Sequence, residues 1–198
     1  MKLFLNLQNI LNRMLPVGTR SVLYGAHAFW FHPIFVWYAW WRLYGFPIDP
    51  RLYVAFFVHD LGYWSKINMD GPEGESHPEV GAGIMRKWFG DYWGDFCLYH
   101  SRYYAKKKGV QPSKLCFADK LSFTYTPRWM YLRMVTATGE INEYLHNAQK
   151  ADSGYWKPTG YDKIKWHEQL CTYMLKWVYE HKDGAIDTWT DASRNDGV

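Results

Sequence analysis

Residues 49–64 read DPRLYVAFFVHDLGYW, from Asp49 to Trp64. Asp49 is a helix N-cap residue and Pro50 suits the first helical position, where its missing N–H costs nothing. The apolar stretch that follows predicts a helix running to Val58, and Gly62 breaks it. His59 and Asp60 therefore fall at a helix end. Outward from this stretch the punctuation stays helical. A polar loop occupies 65–76, and Ser76 to Glu79 reads as a capping box opening a helix that Gly90 stops. A helix is expected from about Tyr92 to Lys108, ended by Gly109. Another begins at Pro112 and Ser113 and ends before Pro127, and further helices cover 128–149 and 161–182. At the start, Leu3, Leu7, Ile10 and Met14 recur at helical spacing, with Pro16 and Gly18 ending that helix. No run of alternating apolar and polar residues marks a strand. The fold expected is all-α: a single-domain helical bundle over 1–185 with a C-terminal helical extension, and a loose tail over 186–198.

The chain has 198 residues, 48% of them hydrophobic and 21% charged, with 12 Trp, 16 Tyr and 11 Phe. That composition supplies one sizeable core and excludes a disordered chain, a collagen-like repeat and a disulfide-stapled miniprotein. The three cysteines form no CxxC pair, which points to a reduced, cytoplasmic compartment. Net charge is only +4, and no block of like charge exceeds Lys106-Lys107-Lys108, so a duplex nucleic-acid partner is not expected. Ser21 to Trp41 lacks any Asp, Glu, Lys or Arg and is long enough to span a bilayer. Its His27, His32 and Pro33 favour a buried helix over a lipid-facing one, and no membrane partner is expected. The first 15 residues are too interrupted by Asn and Gln for a signal peptide. They suit an amphipathic helix packed on the domain, with membrane-surface or homo-oligomer contact as the alternative.

Chemistry concentrates in a set of imidazoles and carboxylates. At a helix terminus His59 and Asp60 can serve one metal site, with the carboxylate free to bridge a second ion. His32 opens HPIFVWYA, His77 opens HPEVGAGIMRKWFG, His100 sits in YHS and Asp119 in FADKLSF. Each belongs to a separate predicted helix or its first turn. Four imidazoles and two carboxylates suit Fe, Mn, Co, Ni or Zn better than Ca or Mg. His27 lies five positions before His32, about 140° around a helix, so the two cannot face one metal without a break. Only one of the two, His32 or His27, is therefore expected at the metal.

The order H…HD…H…H…D resembles the HD-domain superfamily of metal-dependent phosphohydrolases. The HPEVGAGIMRKWFG, YHS and FAD segments are most similar to the branch that splits diadenosine tetraphosphate symmetrically. The resemblance covers about residues 15–130. It implies an all-helical fold with two divalent transition-metal ions. His32, His59, Asp60 and Asp119 would hold the first, and His77 and His100 the second, with Asp60 bridging. The activity implied is hydrolysis of a nucleotide or related small phosphate ester by a metal-bridging hydroxide.

Around those ligands, Asp60, Lys66 and Arg102 are the candidate catalytic residues. Tyr63, Arg102 and Lys106 are the candidate substrate contacts, Arg102 through bidentate phosphate binding. Many family members carry Lys or Glu three residues after the HD aspartate, where this chain has Tyr63. That departure keeps open a mixed-valent di-iron HD oxygenase, which shares the ligands. A non-catalytic, metal-stabilised binding module is the third reading. Aromatic residues bracket His32, the His59-Asp60 pair and His100, and Tyr63, Trp64 and Tyr103 are candidates to stack on a base.

Overall fold

The computed structural model describes residues 14–150 and 162–184. It contains ten α-helices: α1 Val17–Tyr24, α2 His32–Tyr44, α3 Pro50–Val58, α4 Pro78–Phe89, α5 Asp91–Leu98, α6 Arg102–Lys108, α7 Lys114–Tyr125, α8 Arg128–Thr138, α9 Glu140–Lys150 and α10 Lys163–His181. Among the described residues there is no strand, so the fold is all-α. The N-terminal helix expected over residues 1–15 and the tail over 186–198 lie almost wholly outside them.

Local chemistry accounts for most boundaries. The Asp49 carboxylate accepts the backbone N–H of Arg51, and Pro50 opens α3 as expected. Prolines also stand in the first turns of α2 and α4. Gly45, Gly90, Gly109 and Gly139 close helices at φ of 85°, 87°, 65° and 87°, a region that side chains with a Cβ seldom enter.

Four expectations need correcting. Pro16 stands after the helical Met14, as expected, and is also the N-cap of α1, but Gly18 lies inside that helix. A Cβ on Gly18 would stand 2.2 Å from the Tyr63 carbonyl oxygen, so glycine serves close packing there, not termination. The uncharged run 21–41 is divided by a turn between α1 and α2. No helix among the described residues is long and apolar enough to cross a membrane. The capping box at Ser76 does not form: the Ser76 hydroxyl donates to the Glu73 carbonyl, and His77 occupies the N-cap without a side-chain cap bond. Finally, 92–108 and 128–149 are each two helices, broken at Tyr99–Ser101 and at Gly139.

Besides a small cluster of Val22, Tyr63 and Met69, two larger apolar clusters hold these helices together. The larger joins Val36, Ala39 and Trp40 of α2 to Leu52, Ala55 and Phe56 of α3, Met85 of α4, Cys97 of α5 and Leu115, Ala118 and Leu121 of α7, with Trp177 and Val178 of α10 beneath. The smaller joins Tyr131, Leu132 and Val135 of α8 to Ile141 and Leu145 of α9 and Trp166 of α10. Each fully buried Leu, Val or Phe contributes roughly 1.5–3 kcal/mol of transfer free energy. The second cluster shares Tyr131 and Trp166 with the wall of a cavity that His32, His77 and Asp119 also line.

Candidate metal centre

α3 stops where its chemistry requires. His59 keeps helical torsions, whereas Asp60, at φ −101° and ψ 1°, leaves the helical path. Adjacent helical residues diverge by about 100°, and this departure is what lets both side chains turn to one centre. The break before α6 does the same for His100, since Tyr99 at φ −84° and ψ 14° ends α5. His77 reaches the centre from the junction of a short 3-10 turn with α4. His32 comes from the first residue of α2, and Asp119 from the middle of α7.

Two glycines permit the close approach of these segments. A Cβ on Gly62 would lie 1.9 Å from the His77 carbonyl oxygen, and one on Gly81 would lie 2.5 Å from that of Val58. Gly62 was read as a helix breaker, and Gly81 only as a letter of the HPEVGAGIM segment. Their packing role needs the third dimension to be seen.

The six residues converge in two groups that share Asp60. In the first, His32 Nε2 lies 3.1 Å from Asp60 Oδ2, 3.0 Å from Asp119 Oδ1 and 3.3 Å from His59 Nε2. His59 Nε2 is 3.1 Å from the same Asp60 Oδ2 and 3.7 Å from Asp119 Oδ1. In the second group, Asp60 turns its other oxygen, Oδ1, to His77 Nε2 at 3.5 Å and His100 Nε2 at 3.4 Å, and these two nitrogens are 3.1 Å apart. All six side chains are buried, none more than 11% exposed.

Three of the four imidazoles are oriented by the backbone. His59 Nδ1 lies 3.0 Å from the Phe56 carbonyl, His77 Nδ1 2.7 Å from that of Gly74 and His100 Nδ1 2.6 Å from that of Cys97. A carbonyl only accepts, so each Nδ1 carries the proton and donates it, and in the neutral ring Nε2 presents a lone pair. Lone pairs thus face lone pairs and carboxylate oxygens at 3.0–3.7 Å. Asp60 Oδ2 is buried with no aligned hydrogen bond. Such a grouping of nitrogen and oxygen donors is self-repelling without a cation between them, and it fits divalent transition-metal ions.

Without a cation the strain appears as displaced proton affinities. Burial opposes the charged form of His59, yet the Asp60 and Asp119 carboxylates outweigh it and push its pKa up to about 10. The same two carboxylates raise His32 against its burial. Burial and the nearby His100 ring press His77 well below the usual imidazole range. Against their own burial, Asp60 is held well below the carboxylate range chiefly by His59, and Asp119 by Lys120, whose Nζ lies 2.8 Å from Asp119 Oδ2.

The centre opens into a cavity of about 490 Å³, within the range of small-ligand sites. His32, His77 and Asp119 line it together with Arg102, Lys120, Tyr131, Tyr144 and Trp166. Tyr63 lines it while stacked on His77, ring centres 4.0 Å apart and planes 8° from parallel. The Arg102 guanidinium lies 4.5 Å from the Trp177 ring and donates to the Tyr173 hydroxyl at 3.3 Å. Tyr103 also lines the cavity.

Other expected contacts are placed elsewhere. Lys66 is not in the cavity wall: its ammonium donates to the Ser76 hydroxyl at 2.6 Å. Lys106 is exposed in the last turn of α6 and also absent from the wall, and Trp64 is 53% exposed. His27 is not among the grouped donors. Its ring lies 5.6 Å from that of His32, and its Nδ1 is 2.8 Å from the Ser21 hydroxyl. His32 is thus the histidine that the α1–α2 turn brings to the centre. Glu140 is fully buried beside Ser21 and His27, a place that a single helix over 128–149 conceals because the break at Gly139 is what turns it inward. Lys120 was passed over as the neighbour of Asp119. The chain as a whole matches no protein-family model, no curated protein and no solved structure.

Proposed function

We propose that the protein is a metal-dependent phosphohydrolase acting on a nucleotide or related small phosphate ester. The observation that carries this reading is the Asp60 carboxylate, whose Oδ2 faces His32 and His59 while its Oδ1 faces His77 and His100. One carboxylate between two donor groups suits a dinuclear site. The order of the ligands along the chain, with its resemblance to the HD-domain superfamily, supports the same reading. His32, His59, Asp60 and Asp119 would hold one ion, and Asp60, His77 and His100 the other. Two such ions, when bound, supply Lewis acidity to a phosphoryl oxygen and make water a better nucleophile at neutral pH.

The chain's own residues do the rest. The Phe56, Gly74 and Cys97 carbonyls hold three imidazoles so that their Nε2 atoms point inward. Lys120 occupies Asp119 Oδ2 and leaves Oδ1 to the centre. Arg102, fixed by Trp177 and Tyr173, offers a cation to a phosphate in the cavity. Tyr63 packs flat on His77 and keeps that ring from rotating. Tyr131, Tyr144 and Trp166 exclude water and offer ring faces to a base.

The test is direct. The full chain, purified without chelator, should carry two equivalents of transition metal. With Mn or Fe it should release phosphate-containing products from at least one of nucleoside monophosphates, dinucleoside polyphosphates or cyclic nucleotides. Full metal occupancy with no turnover of any of these would overturn the reading.

A further inference from the structure

Beside the metal centre lies a buried polar chain with no part in holding metal. Glu140, at the first position of α9, is 0% exposed. Its Oε1 accepts the Ala26 backbone N–H at 3.1 Å and the Thr138 hydroxyl at 2.6 Å. Its Oε2 accepts the Ser21 hydroxyl at 2.9 Å and the Tyr144 hydroxyl at 2.9 Å. The backbone is shaped around this carboxylate: a Cβ on Gly25 would stand 2.0 Å from Glu140 Oε1.

Counting protons along the chain assigns a tautomer. The single hydroxyl proton of Ser21 goes to Glu140, so Ser21 Oγ can only accept from His27, whose Nδ1 lies 2.8 Å away. Neutral His27 therefore carries its proton on Nδ1, and its Nε2 is a bare acceptor. The ring lines the cavity between His32 and Tyr63, with centres 5.6 and 4.5 Å from theirs. His27 is outside the grouped metal donors, so that lone pair is not committed to a cation.

We propose that His27 is a catalytic residue of this cavity: its Nε2 accepts a hydrogen bond from a protic oxygen, on the phosphate or on the attacking water. Ser21 and Glu140 are the positioning residues that hold the proton on Nδ1 and leave Nε2 as the acceptor. The role rests on the phosphohydrolase reading, but the proton arrangement does not. Glu140→Gln makes a distinctive test. The Ala26 N–H obliges the amide oxygen to take the Oε1 place, which puts the NH₂ opposite Ser21. The amide then donates to Ser21 Oγ, the Ser21 hydroxyl turns to donate to His27 Nδ1, and the ring proton moves to Nε2.

Nitrogen-15 NMR of the histidine side chains in the full-length, zinc-loaded protein reads this directly. Wild type should show Nδ1–H at His27, and inorganic phosphate should shift the His27 Nε2 resonance. Glu140→Gln should show Nε2–H, keep two zinc ions and lose the phosphate-dependent shift, with kcat down about 10–100-fold. Ser21→Ala, the second variant, leaves Glu140 Oε2 3.7 Å from His27 Nδ1 and should keep the proton on Nδ1. Nε2–H in wild type, or an Nε2 signal that saturating phosphate leaves unmoved, would overturn the proposal whatever the hydrolysis assay shows. An Nε2 shift with phosphate but no ester turnover would support it and overturn only the hydrolase reading.

Discussion

The two sides of Asp60 are built from similar parts and behave oppositely. On the Oδ2 side, His32 and His59 meet a second carboxylate, Asp119, so negative charge exceeds what neutral rings can offset. Proton affinity rises there, and His59 is pushed up to about 10. On the Oδ1 side, His77 and His100 share only half of one carboxylate, and burial with mutual repulsion presses His77 down. A site that attracts protons this strongly also attracts a divalent cation more strongly. The comparison teaches that the first group should fill first and empty last, and that Asp60 couples the two.

The largest effect should come from removing the shared group. Asp60→Ala leaves His32, His59 and Asp119 on one side and only the His77 and His100 imidazoles on the other. Metal analysis should find less than one equivalent per chain, and phosphatase activity should fall to background. Retention of two equivalents would break the idea of a shared bridge.

Next come changes that touch one side. Asp119→Asn removes the charge that distinguishes the first group, so both ions should bind weakly and with similar affinity. His77→Ala should cost one ion and leave the first bound, so calorimetric titration should show one tight site. Loss of both ions from His77→Ala would mean that the two sides are not ranked as argued.

A smaller effect is expected from Lys120→Met. Its ammonium neutralises Asp119 Oδ2 and fixes the carboxylate's rotation. Losing the support weakens metal binding, while losing a positive charge beside the ion strengthens it, so the net change should stay below about tenfold. It should be confined to the tighter of the two sites. Equal weakening of both would show that Lys120 acts on the fold in general.

How much of this was legible in the sequence varies with the distance over which the information acts. Helix α3 and its end at His59-Asp60 could be read from Asp49, Pro50 and Gly62, because capping and helix breaking are local. The six ligand-type residues were visible as residue types in order, and the structure gathers all six. The choice of His32 over His27 was not decided locally, since it depends on a turn across 25–31 inside a uniformly apolar run. The breaks at Tyr99–Ser101 and Gly139 were missed for a related reason. Nothing in YHS forbids a continuing helix, and Gly139 is a single glycine in a helix-forming stretch. Lys66 and Lys106 were chosen for nearness in sequence to the ligands, but the loop and α6 carry them out of the cavity wall. The aromatics Tyr131, Tyr144 and Trp166 come from α8–α10, beyond the stretch that carries the resemblance.

The smallest effect, and the one that reads the asymmetry without mutation, is the pH dependence of the metal-free protein. A histidine whose folded pKa lies above its unfolded value stabilises the fold at low pH and loses that contribution as pH rises. For His59 the contribution is complete below about 6.5 and disappears as pH passes about 10. His77 has the opposite sign. Its folded pKa is depressed, so it must stay neutral in the fold while the unfolded chain takes up a proton, and stability falls as pH drops below about 6.5. The metal-free protein should therefore melt highest near neutrality and lose a few degrees in Tm on either side. Zinc should flatten the alkaline limb most, because the ion takes the place of the His59 Nε2 proton and removes it from the titration. An alkaline limb that zinc leaves unchanged would show that the proton affinity belongs to other groups, and the two sides of Asp60 would then differ in composition but not in charge balance.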